Sequence, residues 1–217
     1  MRQHTRNAVG FVVLAILMAA LFYWNINTGS VHLSLERMLT LLRWGNDGTT
    51  EGNILWKIRL SRLLGAALLG GALSIAGFLL QTFFKNPIAG PFVLGISSGA
   101  KLVVSLVMIA FLSRGLSMGS GGMILAAFAG AMISMGFVLL ISGKVKKMSM
   151  LVICGVMIGY ICSAVTDFVV TFADDANIVN LHNWSMGSFS GMSWENIRVM
   201  AAVTFLSLVL VFLLAKP

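Results

Sequence analysis

The sequence is poor in charged residues and in proline. Asp, Glu, Lys and Arg account for only 10% of the 217 residues, against 58% hydrophobic residues, and the mean hydropathy is +0.94. Soluble domains carry about 25% charged residues, so this composition excludes a soluble protein and indicates an integral membrane protein. The three prolines and the long apolar runs favour membrane-spanning helices over a barrel, whose strands would alternate apolar and polar residues.

Sequence motifs typical of catalysis or metal binding are also missing. The sequence contains no phosphate-binding loop, no His and Cys spacing typical of a metal site and no nucleophile elbow, so we predict neither an enzyme nor a metal or cofactor site. Cys154 and Cys162 are eight residues apart, and one helix would separate them by about 12 Å, too far for a disulfide. The net charge of +8 comes from basic residues at the edges of apolar runs, which favours membrane topology over nucleic-acid binding.

Long apolar runs predict an all-α fold, a polytopic transmembrane helix bundle. A helix needs about 20 apolar residues to cross the hydrocarbon of a bilayer. The stretches that approach this length are residues 9–24, 63–84, 92–112, 121–142, 148–172 and 197–215. Residues 25–56 are too polar to span the membrane, and the helical spacing of their leucines predicts an external segment with a short interfacial helix.

Basic residues in the short loops predict the orientation of the chain. Lys85 and the basic residues Lys144, Lys146 and Lys147 outweigh Arg114 on the opposite side. Short cytoplasmic loops carry the excess of Lys and Arg in membrane proteins. We therefore predict a multi-pass protein with a cytoplasmic N-terminus.

Small residues recur at helical spacing within the predicted spans. Gly70, Ser74 and Gly77 form a smooth face on the second span, and Gly155 and Gly159 form another on the fifth. Small residues let neighbouring helices approach closely in a bilayer. We predict tight helix packing at these faces in preference to direct contact with cargo.

Two charged residues interrupt the predicted spans. Lys101 lies about nine residues into the third span, and Asp167 lies near the outer end of the fifth. Intramembrane charges are costly, which makes both residues candidates for a functional role. The alternatives are a Lys101–Asp167 pair, a wet cavity facing each residue, and side chains that extend to an interface.

Three ordered blocks of the sequence resemble the FecCD-type permeases of ABC importers for iron-siderophore, haem and cobalamin. The blocks are residues 54–81, 85–100 and 184–194, and similarity of this kind extends from the first span to the last residue. The resemblance implies ten spans in each of two permease subunits, which form a homodimer or heterodimer in the bacterial cytoplasmic membrane. It further implies a substrate-binding protein outside and two ATPase subunits inside, so that the partners bind ATP and the permease itself needs no cofactor.

The resemblance also assigns roles to individual residues. An external R-L-P-R block of the family pairs with acidic residues of the binding protein, and it corresponds to Arg59 and Arg62 here, with Ser61 in place of the proline. Exposed arginines suit such docking because guanidinium groups form bidentate pairs with carboxylates. Interfacial anchoring is the simpler alternative.

Two further segments are assigned by resemblance. The family's cytoplasmic N-P-L-A-D-P turn corresponds to residues 86–91, with Gly90 in place of the acidic residue. We expect the main role of this turn to be structural, with gating as its second role. Its candidate residues are Asn86, Pro87, Gly90, Pro91, Gly95, Ser97, Ser98 and Gly99. An external Gly-rich segment bordering the translocation path is expected at Trp184, Gly187, Ser188 and Gly191.

The end of the sequence carries a separate expectation. The family's cytoplasmic G-E-x-x-A-x-x-L-G segment, which contacts the ATPase, and its later spans would follow Pro217, so we expect a partial permease domain, 1–217, with about six of the ten spans. An ABC importer permease is the leading interpretation. The alternatives are a secondary transporter that uses Lys101 and Asp167 for ion coupling and a non-transporting membrane scaffold.

Overall fold

The computed structural model describes residues 2–29, 31–116, 118–145 and 148–214. Lys146 and Lys147, which contribute to the predicted orientation, and the chain end at Pro217 lie outside these ranges. The elements are α1 (Arg2–Asn27), α2 (Leu35–Trp44), α3 (Thr50–Asn53), a π-helical turn (Ile54–Arg59), α4 (Leu60–Phe84), α5 (Ile96–Leu112), α6 (Ser120–Ser142), α7 (Met148–Thr171), α8 (Asp175–Met186) and α9 (Trp194–Leu214).

Most of the predicted spans correspond to long apolar helices. Among the described residues, the helical stretches long and apolar enough to cross a membrane are Gln3–Asn27, Thr50–Phe84, Gly121–Ser142, Ser149–Thr171 and Trp194–Leu214. The third predicted span is shorter than expected: α5 has 17 residues and begins at Ile96. The preceding residues form turns, in which Val93 donates to the carbonyl oxygen of Gly90 and Gly95 to that of Phe92.

The described chain divides into two compact units. The first unit runs up to Gly71 and resumes at Phe189, and the second runs from Ala72 to Ser188. In the first unit, the segment after α1 folds back against it. Ile26, Leu33, Met38, Leu41 and Leu55 form its buried cluster.

The polar segment contains a short helix, α2, and its interfacial position stays a prediction. The hydroxyl of Ser34 caps it by accepting a hydrogen bond of 3.2 Å from the backbone nitrogen of Arg37. Met38 and Leu41 are buried, whereas Leu35 and Leu39 are exposed. The apolar side chains of α2 are therefore only partly buried by contacts within the described residues.

In the second unit, α5 packs against both α6 and α7. The close approach to α6 depends on small residues, because a Cβ added to Gly99 would lie 2.5 Å from Cβ of Ser134, and one added to Gly130 would overlap the carbonyl oxygen of Gly99. At the beginning of α5, Gly95 has a left-handed backbone (φ 71°). This conformation favours glycine and lets the chain enter α5 against α7.

Helix α8 was not predicted from the sequence. The residues before the Gly-rich segment form a helix that begins at Asp175, with Asp174 in the N-cap position, and ends at Met186 before Gly187. Its apolar side contributes Leu181 and Trp184 to a buried cluster with Val104 of α5. Trp184 is therefore part of a packed helix.

Candidate functional site

The two arginines of the predicted docking block have different environments. Arg59 is buried, and its guanidinium donates hydrogen bonds to the carbonyl oxygens of Ile26 and Val31, the second at 2.5 Å. Arg62, one helical turn later, is exposed and has no hydrogen bond or ion pair with the described residues. Arg59 therefore holds the α1–α2 connection, a role that the docking prediction did not anticipate, and Arg62 is the arginine available to a partner.

Trp56, which precedes Arg59 by three residues, pairs with Trp194 of α9. The indole nitrogen of Trp56 donates to the carbonyl oxygen of Leu41 (3.0 Å), and that of Trp194 donates to the carbonyl oxygen of Trp56 (2.9 Å). The two rings are 5.8 Å apart between centroids. These contacts join the start of α9 to the residues before α4 within the first unit.

The Asn-Pro turn is held by local hydrogen bonds and by buried apolar anchors. The side-chain oxygen of Asn86 accepts from the backbone nitrogen of Ile88 (3.0 Å), and its carbonyl oxygen accepts from the nitrogen of Ala89 (3.1 Å). Ala89 and Leu94 are buried in one cluster with Phe84. These contacts describe an ordered turn, and its gating role stays a prediction.

The residues after this turn meet α6 and α7. The hydroxyl of Ser134 donates to the carbonyl oxygen of Gly95 (3.0 Å), and the hydroxyls of Ser98 and Ser163 are 3.3 Å apart. Ser97 is exposed, whereas Gly99 is buried. A cavity of about 340 Å³ opens at this junction. Its lining residues are Phe92, Val93, Gly95, Ser98, Val156, Gly159, Tyr160 and Ser163.

The predicted glycine faces of α7 and α4 differ in how closely other residues approach them. A Cβ on Gly155 would lie 2.9 Å from Cα of Leu94, and one on Gly159 would lie 3.2 Å from Cα of Gly95. At Gly70 and Gly77, by contrast, no heavy atom outside the helix lies within 4 Å of the Cβ position. Packing on the α4 face, which also carries Ser74, therefore stays a prediction.

The Gly-rich segment begins where α8 ends. Gly187 and Gly191 have positive φ angles of 72° and 80°, and Ser188, between them, is exposed. This backbone turns the chain sharply after Met186. A place along a translocation path stays a prediction.

Lys101 and Asp167 line one cavity in the second unit. It has a volume of about 120 Å³, and we call it the α5–α8 polar cavity. Its lining residues are Lys101, Thr166, Asp167, Val170, Ile178, Leu181, His182 and Ser185. Within the described residues, Lys101 and Asp167 form no ion pair with each other or with other side chains. Sequence analysis considered both charges but missed His182, because α8 was not predicted.

The helices and the closely packed small residues define a class of protein, the polytopic helical membrane proteins. A solved structure described as an inward-facing conformation of a metal-chelate type ABC transporter has the same fold, with a TM-score of 0.74 and 22% sequence identity. The match covers 94% of this chain and 61% of that chain. The predicted all-α polytopic bundle is confirmed.

The chain belongs to the FecCD transport family, whose family model matches residues 16–217. It is 33% identical over 198 residues to the vitamin B12 import system permease protein BtuC of Serratia proteamaculans, a match covering 89% of this chain and 55% of the relative. It is 32% identical over 203 residues to BtuC of Shigella boydii, covering 93% and 59%. The chain thus spans between half and three-fifths of the length of these relatives, and the family predicted from the three sequence blocks is confirmed.

Proposed function

We propose that this protein is the membrane-spanning permease subunit of an ABC importer. Its cargo would be a metal chelate or corrinoid, of the iron-siderophore, haem or cobalamin type, taken across the bacterial cytoplasmic membrane. The observation that carries the proposal is the family match over residues 16–217. The fold shared with a metal-chelate type ABC transporter supports it.

The permease itself would perform no chemistry. Among the described residues, no three His, Cys, Asp or Glu side chains are grouped so that they could hold a metal ion, and the chain has no phosphate-binding loop. The energy would come from ATP bound by separate ATPase subunits on the cytoplasmic side. A second permease subunit would complete the pore among the membrane lipids.

Arg62 is the residue that we propose for docking of the external binding protein. Its guanidinium is exposed and unpaired among the described residues, so it can form a bidentate pair with a carboxylate of a partner. Arg59 would support this site from within, because its hydrogen bonds to Ile26 and Val31 hold the neighbouring connection in place. The proposed orientation, with the N-terminus and the Asn86–Pro87 turn in the cytoplasm, places Arg62 on the outer side.

The named relatives indicate the class of cargo. The two BtuC relatives named above are described as vitamin B12 import permeases, which favours a corrinoid. A second cavity, of about 270 Å³, is almost entirely apolar and is lined by residues that include Leu102, Ile133 and Phe137. Such surfaces discriminate weakly between bulky chelates, so we assign most of the selectivity to the binding protein.

Uptake by intact cells tests this proposal. Cells that express the full-length permease with its ATPase and binding protein should accumulate radiolabelled cyanocobalamin or a labelled ferric siderophore. Accumulation should stop when the ATPase carries a substitution that blocks ATP hydrolysis. Uptake that continues with the inactive ATPase would contradict the proposal.

A further inference from the structure

At one end of the second unit, three helices contribute to a single buried cluster. Its members include Phe84 at the end of α4, Val138 in the second half of α6 and Leu151 in the first turn of α7. Lys85 directly follows α4, and Lys144 is the second residue after α6. Both lysine side chains are exposed. We call the surface that carries these two lysines the basic end.

The lysines of the basic end lie in a long stretch of sequence without acidic residues. No Asp or Glu occurs between Glu51 and Asp167, and Asp167 is near the other end of α7. Among the described residues, neither Lys85 nor Lys144 forms an ion pair. The positive charge of the basic end is therefore not balanced by neighbouring residues of the second unit, and it attracts an anion.

Lys85 occupies a backbone position that favours glycine. Its φ angle is 49°, and among the described residues it is the one residue other than glycine with a positive φ. The backbone nitrogen of Lys85 donates to the carbonyl oxygen of Thr82 (3.3 Å), and that of Asn86 donates to Gln81 (3.1 Å). This pair of bonds forms the Schellman motif that ends a helix, in which the left-handed residue is usually glycine. A lysine held in such a conformation indicates a use for its side chain.

Exposed apolar side chains lie on both sides of Lys85 in the chain. Phe83, in the last turn of α4, is 61% exposed, and Ile88, in the turn that follows, is 75% exposed. Phe83 lies on one face of α4 with Ile75 and Leu79, which are also exposed. Since α4 belongs to a helical stretch long and apolar enough to cross a membrane, this face suits contact with lipid acyl chains. A lysine at the end of such a face extends to the headgroups.

We propose that the basic end binds an anionic phospholipid such as phosphatidylglycerol. The ammonium groups of Lys85 and Lys144 attract the phosphodiester oxygens, and the acyl chains pack against Phe83 and Ile88. A soluble phosphorylated ligand would provide the anion but would leave these apolar side chains uncovered. An acidic protein surface would place polar groups against them. The ligand is a lipid, so this proposal does not depend on the identity of the cargo.

Lipid binding to the full-length permease in detergent tests the inference. The protein is titrated with fluorescent phosphatidylglycerol and with phosphatidylcholine that has the same label and acyl chains, and the ratio of the two affinities is measured. The wild-type protein should prefer phosphatidylglycerol. Lys85→Gln should lower this preference by roughly fivefold, the effect of one lysine next to an anionic lipid surface. High salt should also weaken the preference.

Lys57→Gln is the matched control, because Lys57 is also exposed and lies in the first part of the same helical stretch, Thr50–Phe84. It should leave the ratio of affinities unchanged. A second variant, Lys85→Gly, removes the side chain from a backbone conformation that suits glycine. Its melting temperature should be at least that of the wild type, and its lipid preference should fall as in Lys85→Gln, which separates lost binding from lost folding.

Equal affinities of the wild-type protein for the two lipids would overturn the inference, as would equal or absent shifts in Lys85→Gln and Lys57→Gln. Displacement of the labelled lipid by glycerol 3-phosphate would also overturn it, because the ligand would then be a soluble anion. The same holds if Lys85→Gln keeps the lipid preference but no longer captures the ATPase, since the basic end would then contact a protein.

Discussion

Arg59 shows at the scale of one residue how a charge in an apolar sequence is used. Its guanidinium donates to the carbonyl oxygens of Ile26 and Val31, which lie 33 and 28 residues earlier in the chain. The sequence showed a charge at the start of an apolar helix but not its partners, because backbone carbonyls carry no residue-specific signal. Docking was therefore predicted equally for Arg59 and Arg62, and only the structure distinguishes the two.

Arg59→Lys should destabilise the first unit. A lysine keeps the charge but lacks the planar fork that reaches two carbonyl oxygens, and a buried carbonyl oxygen left without its donor costs about 1–3 kcal/mol. The thermal unfolding temperature in detergent should fall. Arg62→Lys, at an exposed position, is the control and should change stability by less than about 0.5 kcal/mol; equal effects of the two substitutions would contradict the structural role of Arg59.

The lowered pKa of Asp47 predicts that the stability of the connection after α2 depends on pH. The hydroxyl of Thr49 is the main group that lowers the pKa of Asp47 from 3.8 to about 2, and Arg37 contributes. Because the folded-state pKa is depressed, the stabilisation is complete above pH 3.8 and is lost as the pH falls through about 2. Amide hydrogen exchange in this connection should accelerate across that window.

The Asp47→Asn variant should lose this pH dependence. Glu36→Gln is the control, because Glu36 is an exposed acid on the preceding helix, α2, and its variant should retain the wild-type profile. Wild-type exchange that does not accelerate between pH 3.8 and about 2, beyond the intrinsic change of the unfolded peptide, would argue against the Asp47 contacts.

At the scale of elements, the closest packing lies where α5 meets α6. Gly130→Ala would place a Cβ against the carbonyl oxygen of Gly99, and overpacking of this kind costs about 1–3 kcal/mol. Gly136→Ala lies on the same helix with no heavy atom within 4 Å of its Cβ position, so it should be neutral or slightly stabilising. Thermal unfolding of both variants checks this, and similar melting temperatures would contradict the close contact.

The elements also show what the sequence can and cannot predict. Long apolar runs predicted α1, α4, α6, α7 and α9, because length and hydropathy suffice for a membrane span. They missed α8, whose residues are mixed polar and apolar. The available signals were Asp174 in the N-cap position, Leu181 and Trp184 at a spacing of three, and Gly187 after the last turn.

The α5–α8 polar cavity could not have been predicted as a unit. Lys101 and Asp167 were recognised as unusual, but their convergence depends on how α5, α7 and α8 pack in three dimensions. The sequence does not show that the start of α5, at Gly95, packs beside Gly159 near the middle of α7, which brings Lys101 to the level of Asp167. His182 could be added only once α8 was known.

At the scale of the whole molecule, Arg62 provides a test of assembly. Arg62→Glu should reduce capture of the binding protein by about tenfold, because a favourable charge pair becomes a repulsive one. Arg114→Glu is the control, since Arg114 is also exposed and was assigned to the same side of the membrane. Capture measured on immobilised permease would argue against docking at Arg62 if both variants bound the partner equally well.

Two competing explanations of the whole molecule differ in the driving force for transport. A secondary transporter would use Lys101 and Asp167 to couple an ion gradient, whereas an ABC importer would depend on a partner that hydrolyses ATP. The family match over residues 16–217 favours the second. The driving force is therefore the quantity that distinguishes them.

The most direct measurement is transport into proteoliposomes that contain the full-length permease and its ATPase, with the binding protein supplied on the opposite side from ATP. We predict that radiolabelled cyanocobalamin or a labelled ferric siderophore is transported when ATP is present and no ion gradient is imposed. Transport driven by an ion gradient without ATP, or no transport of either probe with ATP and all partners present, would contradict the assignment as an ABC importer permease.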